Sequence, residues 1–201
     1  MTADPADLGD NENHLGGCYE LAIELGARDD ARLQAALTAV WAVVVGCFGQ
    51  TSWDPPRFDP VPCTVGSLER HGHLHGVTAS PLGHTICSAV AVREETSEID
   101  WLDLCVPLGA LGRLDPRVGG FPFGDDGGPA AHDWRRPLDD WLAQLARQVH
   151  SAAPFRLALI GFEASGSRYA DELRTGPPGE RYEAYVLPAG DDVSYHPANK
   201  P

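Results

Sequence analysis

Three histidines fall on alternate positions in the segment His71-Gly-His73-Leu-His75. Residues two apart on a strand share a face, so the three imidazoles would project together. That spacing suits two zinc ligands at a time, and a third ligand would have to come from elsewhere. His84 is a poor source, because a hairpin turning at 81–83 pairs it near Ser80, well away from His73. An exposed polar strand edge is the simpler account. A zinc-dependent enzyme built on His71, His73 and His75 is therefore the third of three functional readings, and no metal or other cofactor is expected.

Carboxylates are the next candidates. Glu163 follows the run Phe155–Phe162 at the parity of Phe155, Leu157 and Leu159, so an acid continues an otherwise apolar face. Inside a protein such a group needs a partner, such as Arg168, Arg181 or a cationic ligand; at the end of a strand it needs only water. Asp103, between Leu102 and Leu104, poses the same question. These two acids are the candidate ligand-binding residues.

Nucleophiles are poorly supported. Ser165 sits in GFEASGS, which lacks the G-x-S-x-G of a nucleophile elbow. Cys18, Cys47, Cys63, Cys87 and Cys105 are odd in number, widely spaced and without a CxxC, as befits reduced structural thiols. The glycine-rich GGFPFGDDGG carries acids where a phosphate would sit, so it is no phosphate loop. The sequence assembles no catalytic constellation.

Aromatic residues stand in loop-like sequence beside acids. Trp53 and Asp54, then Phe121 and Phe123 with Asp125 and Asp126, could form an acidic, aromatic surface for a protein partner. The whole chain carries 29 acidic against 15 basic residues over 201, a formal net charge of −14. That sign repels nucleic acid and anionic membrane surfaces, and complements a basic protein. The opening MTADPADLGDNENH has neither the basic nor the apolar region of a signal peptide, and no apolar run is long enough to span a bilayer. A cytoplasmic protein is expected. Low lysine with high arginine, alanine, glycine and proline suggests a high-GC bacterial coding sequence.

These residues need a scaffold. Residues 1–16 read as a disordered acidic arm, 17–188 as one domain and 189–201 as a loose tail. Cys18–Leu25 alternates as a half-exposed strand, with Tyr19, Leu21, Ile23 and Leu25 on one side and Glu20 and Glu24 on the other. Asp29 or Asp30 caps an amphipathic helix over 30–45. The four prolines at 55, 56, 60 and 62 argue for a surface crossing. A hairpin follows over 74–94, with small residues Cys87, Ala89 and Ala91 on a face that would admit a helix. Ile99–Leu108 is a strand, 109–135 is irregular, and Pro137 opens a second helix to His150. Phe155–Phe162 and Glu180–Leu187 are the last strands.

The fold class is thus α+β: a mainly antiparallel sheet with two amphipathic helices on one face, whose element order can be written as two βαββ units. That order resembles small-molecule-binding modules of the GyrI-like type. Two functional readings lead. The first is a non-enzymatic binding protein engaging a basic protein partner through its acidic surface, as a bacterial immunity or inhibitor protein does. The second is a domain binding an amphipathic or cationic small molecule, with Glu163 in the pocket.

Overall fold

The alternating segment that begins at Cys18 forms β1 (Cys18–Ala27), and the rest of the molecule is built outward from it. The computed structural model describes residues 5–93, 98–118 and 131–200. Around β1 lie β2 (Val44–Trp53), β3 (Pro56–Pro60), β4 (His73–Ser80) and β5 (Gly83–Arg93) from the first half of the chain. The second half adds β6 (Ile99–Pro107), β7 (Leu157–Phe162), β8 (Ala184–Ala189) and β9 (Asp192–His196). All nine strands form one sheet in the order β3-β2-β4-β5-β6-β1-β7-β8-β9, and every neighbouring pair is antiparallel. Alternation of direction makes β6 and β7 parallel, with β1 inserted between them.

Short helices α1 (Pro5–Leu8), α3 (Val65–His71) and α4 (Leu108–Leu114) accompany two longer ones, α2 (Asp30–Trp41) and α5 (Ala131–Ala152). Asp29 caps α2, accepting hydrogen bonds from the Ala31 and Arg32 amides. Helices α2 and α5 lie on one face of the sheet. Leu33, Leu37 and Val40 of α2, with Leu138, Leu142 and Val149 of α5, pack on Leu21, Ile23, Leu102 and Leu104. Cys87 and Ala89 belong to the same core, so the small-residue side of β5 does face the helices. Each fully buried leucine there contributes about 1.5–3 kcal/mol of transfer free energy. One polar network interrupts this core. The Tyr19 hydroxyl donates to Asp139 Oδ1 in a short bond, and Arg135 bonds both the Tyr19 hydroxyl (3.3 Å) and the Tyr182 carbonyl (2.7 Å).

Several boundaries differ from the sequence reading. The segment read as a crossing holds β2, a strand paired on both sides; the prolines bound β3, at the sheet edge where a missing N–H is tolerated. Helix α2 stops at Trp41, and the β-branched Val44 and Val45 enter β2 instead. Pro137 lies inside α5 rather than at its start, six residues after Ala131, where it cannot donate to the Asp133 carbonyl. The irregular region contains α4, and the tail contains β9. The acidic arm is tied down as well: Leu8 is buried, and the Leu108 and Gly109 amides donate to the Gly17 and Leu15 carbonyls. Gly109 is required there, because a Cβ would stand 2.3 Å from the Glu12 carbonyl oxygen.

Candidate functional site

The face of the sheet opposite α2 and α5 holds most of the chemistry-bearing residues. Pairing register places Glu20, Glu24, Asp103, Cys105, Ser88, His75 and His73 on it, running from β1 across β6 and β5 to β4. The half-exposed strand expected for β1 is corrected here, since Glu20 is 5% exposed and Glu24 is 0%. The segment after β7 covers them, in a small apolar cluster where Tyr169 stacks edge-on to Trp101 at 5.8 Å.

The covering segment is held by carboxylates. Glu20 Oε1 accepts the Ser165 amide at 2.6 Å, and Glu24 Oε2 accepts the Ala170 amide at 2.7 Å. Glu24 also pairs with Arg156 at 3.0 Å. Ser165 is therefore a tether, with its backbone amide engaged by Glu20. Asp103 is 2% exposed, and its Oδ1 has no hydrogen-bond partner among the described residues. Burial, reinforced by the charge of Glu20, pushes the Asp103 carboxyl up to about 8, so it is largely protonated at neutral pH. Burial also raises Glu20, against the opposing Ser165 amide.

Glu163 is not part of this site. It is exposed, beyond the end of β7, in the left-handed region at φ 43°. The acid placed in the pocket by the sequence reading is thus exposed, while Asp103, its companion there, is buried.

Beside the carboxylate band the same face opens into a cavity of about 370 Å3. Its floor is Cys18, Ser88, His73 and His75 from the strands. One wall is the N-terminal segment, with Leu8, Asn11 and His14; the other is the β2–β3 hairpin, with Gln50, Trp53, Pro56 and Phe58. The His73 and His75 rings stack at 5.9 Å, and Phe58 meets His75 edge-on at 5.0 Å. Burial lowers His73, and burial with the neighbouring His73 and His14 lowers His75 to about 4. Both imidazoles are neutral at pH 7.

His71 does not join them. It ends α3, and its ring lies against Gly49 with Nδ1 3.2 Å from the Gln50 carbonyl oxygen. Gly49 pairs with Leu74 and so faces the helices, which puts the sheet between His71 and His75. Gly72, at φ 75°, breaks the alternation that the sequence reading carried from His71 to His75. Among the described residues no three His, Cys, Asp or Glu side chains gather as a metal site. His84 pairs with Ala79, away from the cavity.

Of the surface expected for a partner, Trp53 is 81% exposed and Asp54 is exposed at the hairpin turn. Phe121, Phe123, Asp125 and Asp126 lie outside the described residues. Phe58 was read as a loop aromatic beside Trp53, and the cavity residue Gln50 escaped the sequence reading because the prolines obscured a strand. The signal was present in VVVGCFGQTSW, a β-branched and aromatic run ahead of the first proline.

Comparison with known protein families, with curated proteins and with solved structures finds no match to this chain. Among the described residues, no helix is long and apolar enough to cross a membrane.

Proposed function

We propose that this protein binds a small, flat, uncharged ligand in the cavity between the N-terminal segment and the β2–β3 hairpin. The observation that carries this reading is the lining. It combines aromatic faces (Trp53, Phe58) with neutral hydrogen-bonding groups (His73, His75, Gln50, Asn11), and none of the described residues lining it is an acid, lysine or arginine. A volume near the lower end of ligand pockets fits one or two rings. A cationic ligand paired with Glu163 is not favoured, because that carboxylate is exposed and does not line the cavity.

Indole, quinoline and nicotinamide are suitable first probes. Each tests the site by thermal shift and by quenching of tryptophan fluorescence. The expected result is a concentration-dependent rise in Tm that Phe58→Ala and His75→Ala abolish. A rise that survives both variants, or no rise with any probe, would overturn the reading.

Exposed Trp53 beside Asp54 favours a second reading, in which the acidic rim engages a basic protein. Titration with a basic protein at low and high salt separates specific docking from bulk attraction. Binding lost in Trp53→Ala and Asp54→Lys supports docking. Binding indifferent to both is nonspecific attraction to a chain of charge −14 and removes the reading.

A further inference from the structure

The histidines of this chain differ in what their ring nitrogens meet. His14 Nε2 lies 2.9 Å from the Leu8 carbonyl oxygen, His71 Nδ1 lies 3.2 Å from that of Gln50, and His150 Nδ1 accepts the Phe155 amide. His75 has no such bond. It is 9% exposed, and among the described residues no hydrogen bond reaches either of its ring nitrogens. Nor are those nitrogens sealed in the core, because the ring lines the cavity. A polar side chain nine-tenths buried, unpartnered in the protein and facing a cavity is placed to meet a ligand.

Pairing register surrounds His75 with groups of the same kind. Ser88 stands directly opposite on β5. Phe48 stands opposite on β2, so Gln50, two residues beyond it on the same face, is a diagonal neighbour. His73 lies two residues along β4, and all three line the cavity. Gln50 Nε2 donates to the Ser52 carbonyl at 3.1 Å. Its Oε1 and the Ser88 hydroxyl have no hydrogen bond among the described residues. Phe58, paired with Gln50, adds an aromatic ring beside this polar patch.

We infer that the cavity selects a free nucleobase, a purine or pyrimidine ring with hydrogen-bond donors and acceptors around its edge. The inference rests on the cavity being the ligand site proposed above, and it names the class of that ligand. A neutral imidazole donates from one nitrogen and accepts at the other, a serine hydroxyl does both, and the open Gln50 oxygen accepts. A hydrocarbon ring that displaced water from this floor would strand all of these groups. A nucleobase answers donors and acceptors alike, and its flat face suits the Phe58 and Trp53 rings.

Charge narrows the class further. Burial, with the neighbouring His73 and His14, lowers His75 to about 4, so its acceptor nitrogen is kept at pH 7. No described residue lining the cavity is a lysine or arginine, and a net charge of −14 repels phosphate. The occupant is therefore the base itself and not its nucleotide. A volume of about 370 Å3 has room for one such base.

Isothermal titration calorimetry on the full chain tests this, comparing adenine, hypoxanthine and uracil with indole, which has the two-ring shape of a purine but a single N–H. At least one base should bind about tenfold or more tightly than indole, and the nucleoside monophosphate of that base about tenfold or more weakly than the base. His75→Phe keeps a ring of similar size and removes both nitrogens, so it should erase the advantage of the base while indole still binds. Ser88→Ala should cut that advantage about threefold, and it decides the matter where circular dichroism shows His75→Phe unfolded. Indole binding as tightly as every base, or a base preference that survives each folded variant, overturns the inference and leaves the aromatic-ligand cavity standing. A monophosphate that binds as tightly as its base overturns the assignment to a free base. Binding by none of the probes overturns the inference and the ligand reading together.

Discussion

The two faces of the sheet are built on different principles. The helix side is closed by two amphipathic helices whose leucines and valines meet aliphatic strand residues, and a buried polar network within it is satisfied by Tyr19, Asp139 and Arg135 together. The other side is closed by short helices and irregular chain: the N-terminal segment with α1 and α4 at one end and the segment after β7 at the other. Irregular backbone brings amides that need acceptors, and Glu20 and Glu24 supply them. Carboxylates, thiols and neutral imidazoles thus collect on the face that neither α2 nor α5 covers, and so does the cavity.

Truncation of the helix side should have the largest effect. Leu142→Ala, at a fully buried site, should lower unfolding free energy by about 2–5 kcal/mol in urea titration while leaving probe binding intact in the folded fraction. A comparable loss of binding affinity in the folded protein would break the division between the faces.

Titration should follow. The raised carboxyls of Asp103 (about 8) and Asp139 (about 7) bind protons in the folded state that the unfolded chain, near 3.8, has released. Their contribution to stability is fully present below about pH 4 and is lost as pH rises towards 8, on the order of a few kcal/mol. Asp103→Asn keeps the neutral form and should flatten the upper part of the stability–pH curve; Asp139→Asn should act at slightly lower pH. A wild-type curve that rises from pH 5 to 8, and is unchanged by either variant, contradicts both assignments.

Glu24→Gln should have a smaller effect, about 1–3 kcal/mol, because it removes the charge shared by Arg156 and the Ala170 amide. The partial exposure of Arg156 puts the value at the lower end. Hydrogen exchange should quicken in residues 164–173 and not in α2.

Trp53→Ala should be the mildest in stability, within about 0.5 kcal/mol, since the side chain is 81% exposed. The same change should abolish the thermal shift with aromatic probes. A stability loss near that of Leu142→Ala would mean that Trp53 is core rather than rim.

Much of the helix side was legible in the sequence. Apolar periodicity gave α2 and the C-terminal part of α5, and alternation gave β1, β6 and the β4–β5 hairpin, including the small-residue face of β5. The other side was not legible, for a definite reason. Alternation reports that Glu20 and Glu24 point away from Leu21 and Ile23; it cannot report that a segment some 145 residues later returns to cover them. Asp103 drew attention because an acid stood in an apolar strand, and it is buried. Glu163 drew attention for the same reason, but the strand ends at Phe162 and the acid emerges into solvent.

The sequence by itself determined the α+β class, the antiparallel sheet with two helices on one face, and the acidity, since these depend on local periodicity and composition. Tertiary structure alone decided which carboxylates are buried, that His71 leaves His73 and His75 by the width of a sheet, and that Cys18 lines the cavity. Those facts depend on strand order, and strand order places β6 beside β1 across most of the first half of the chain.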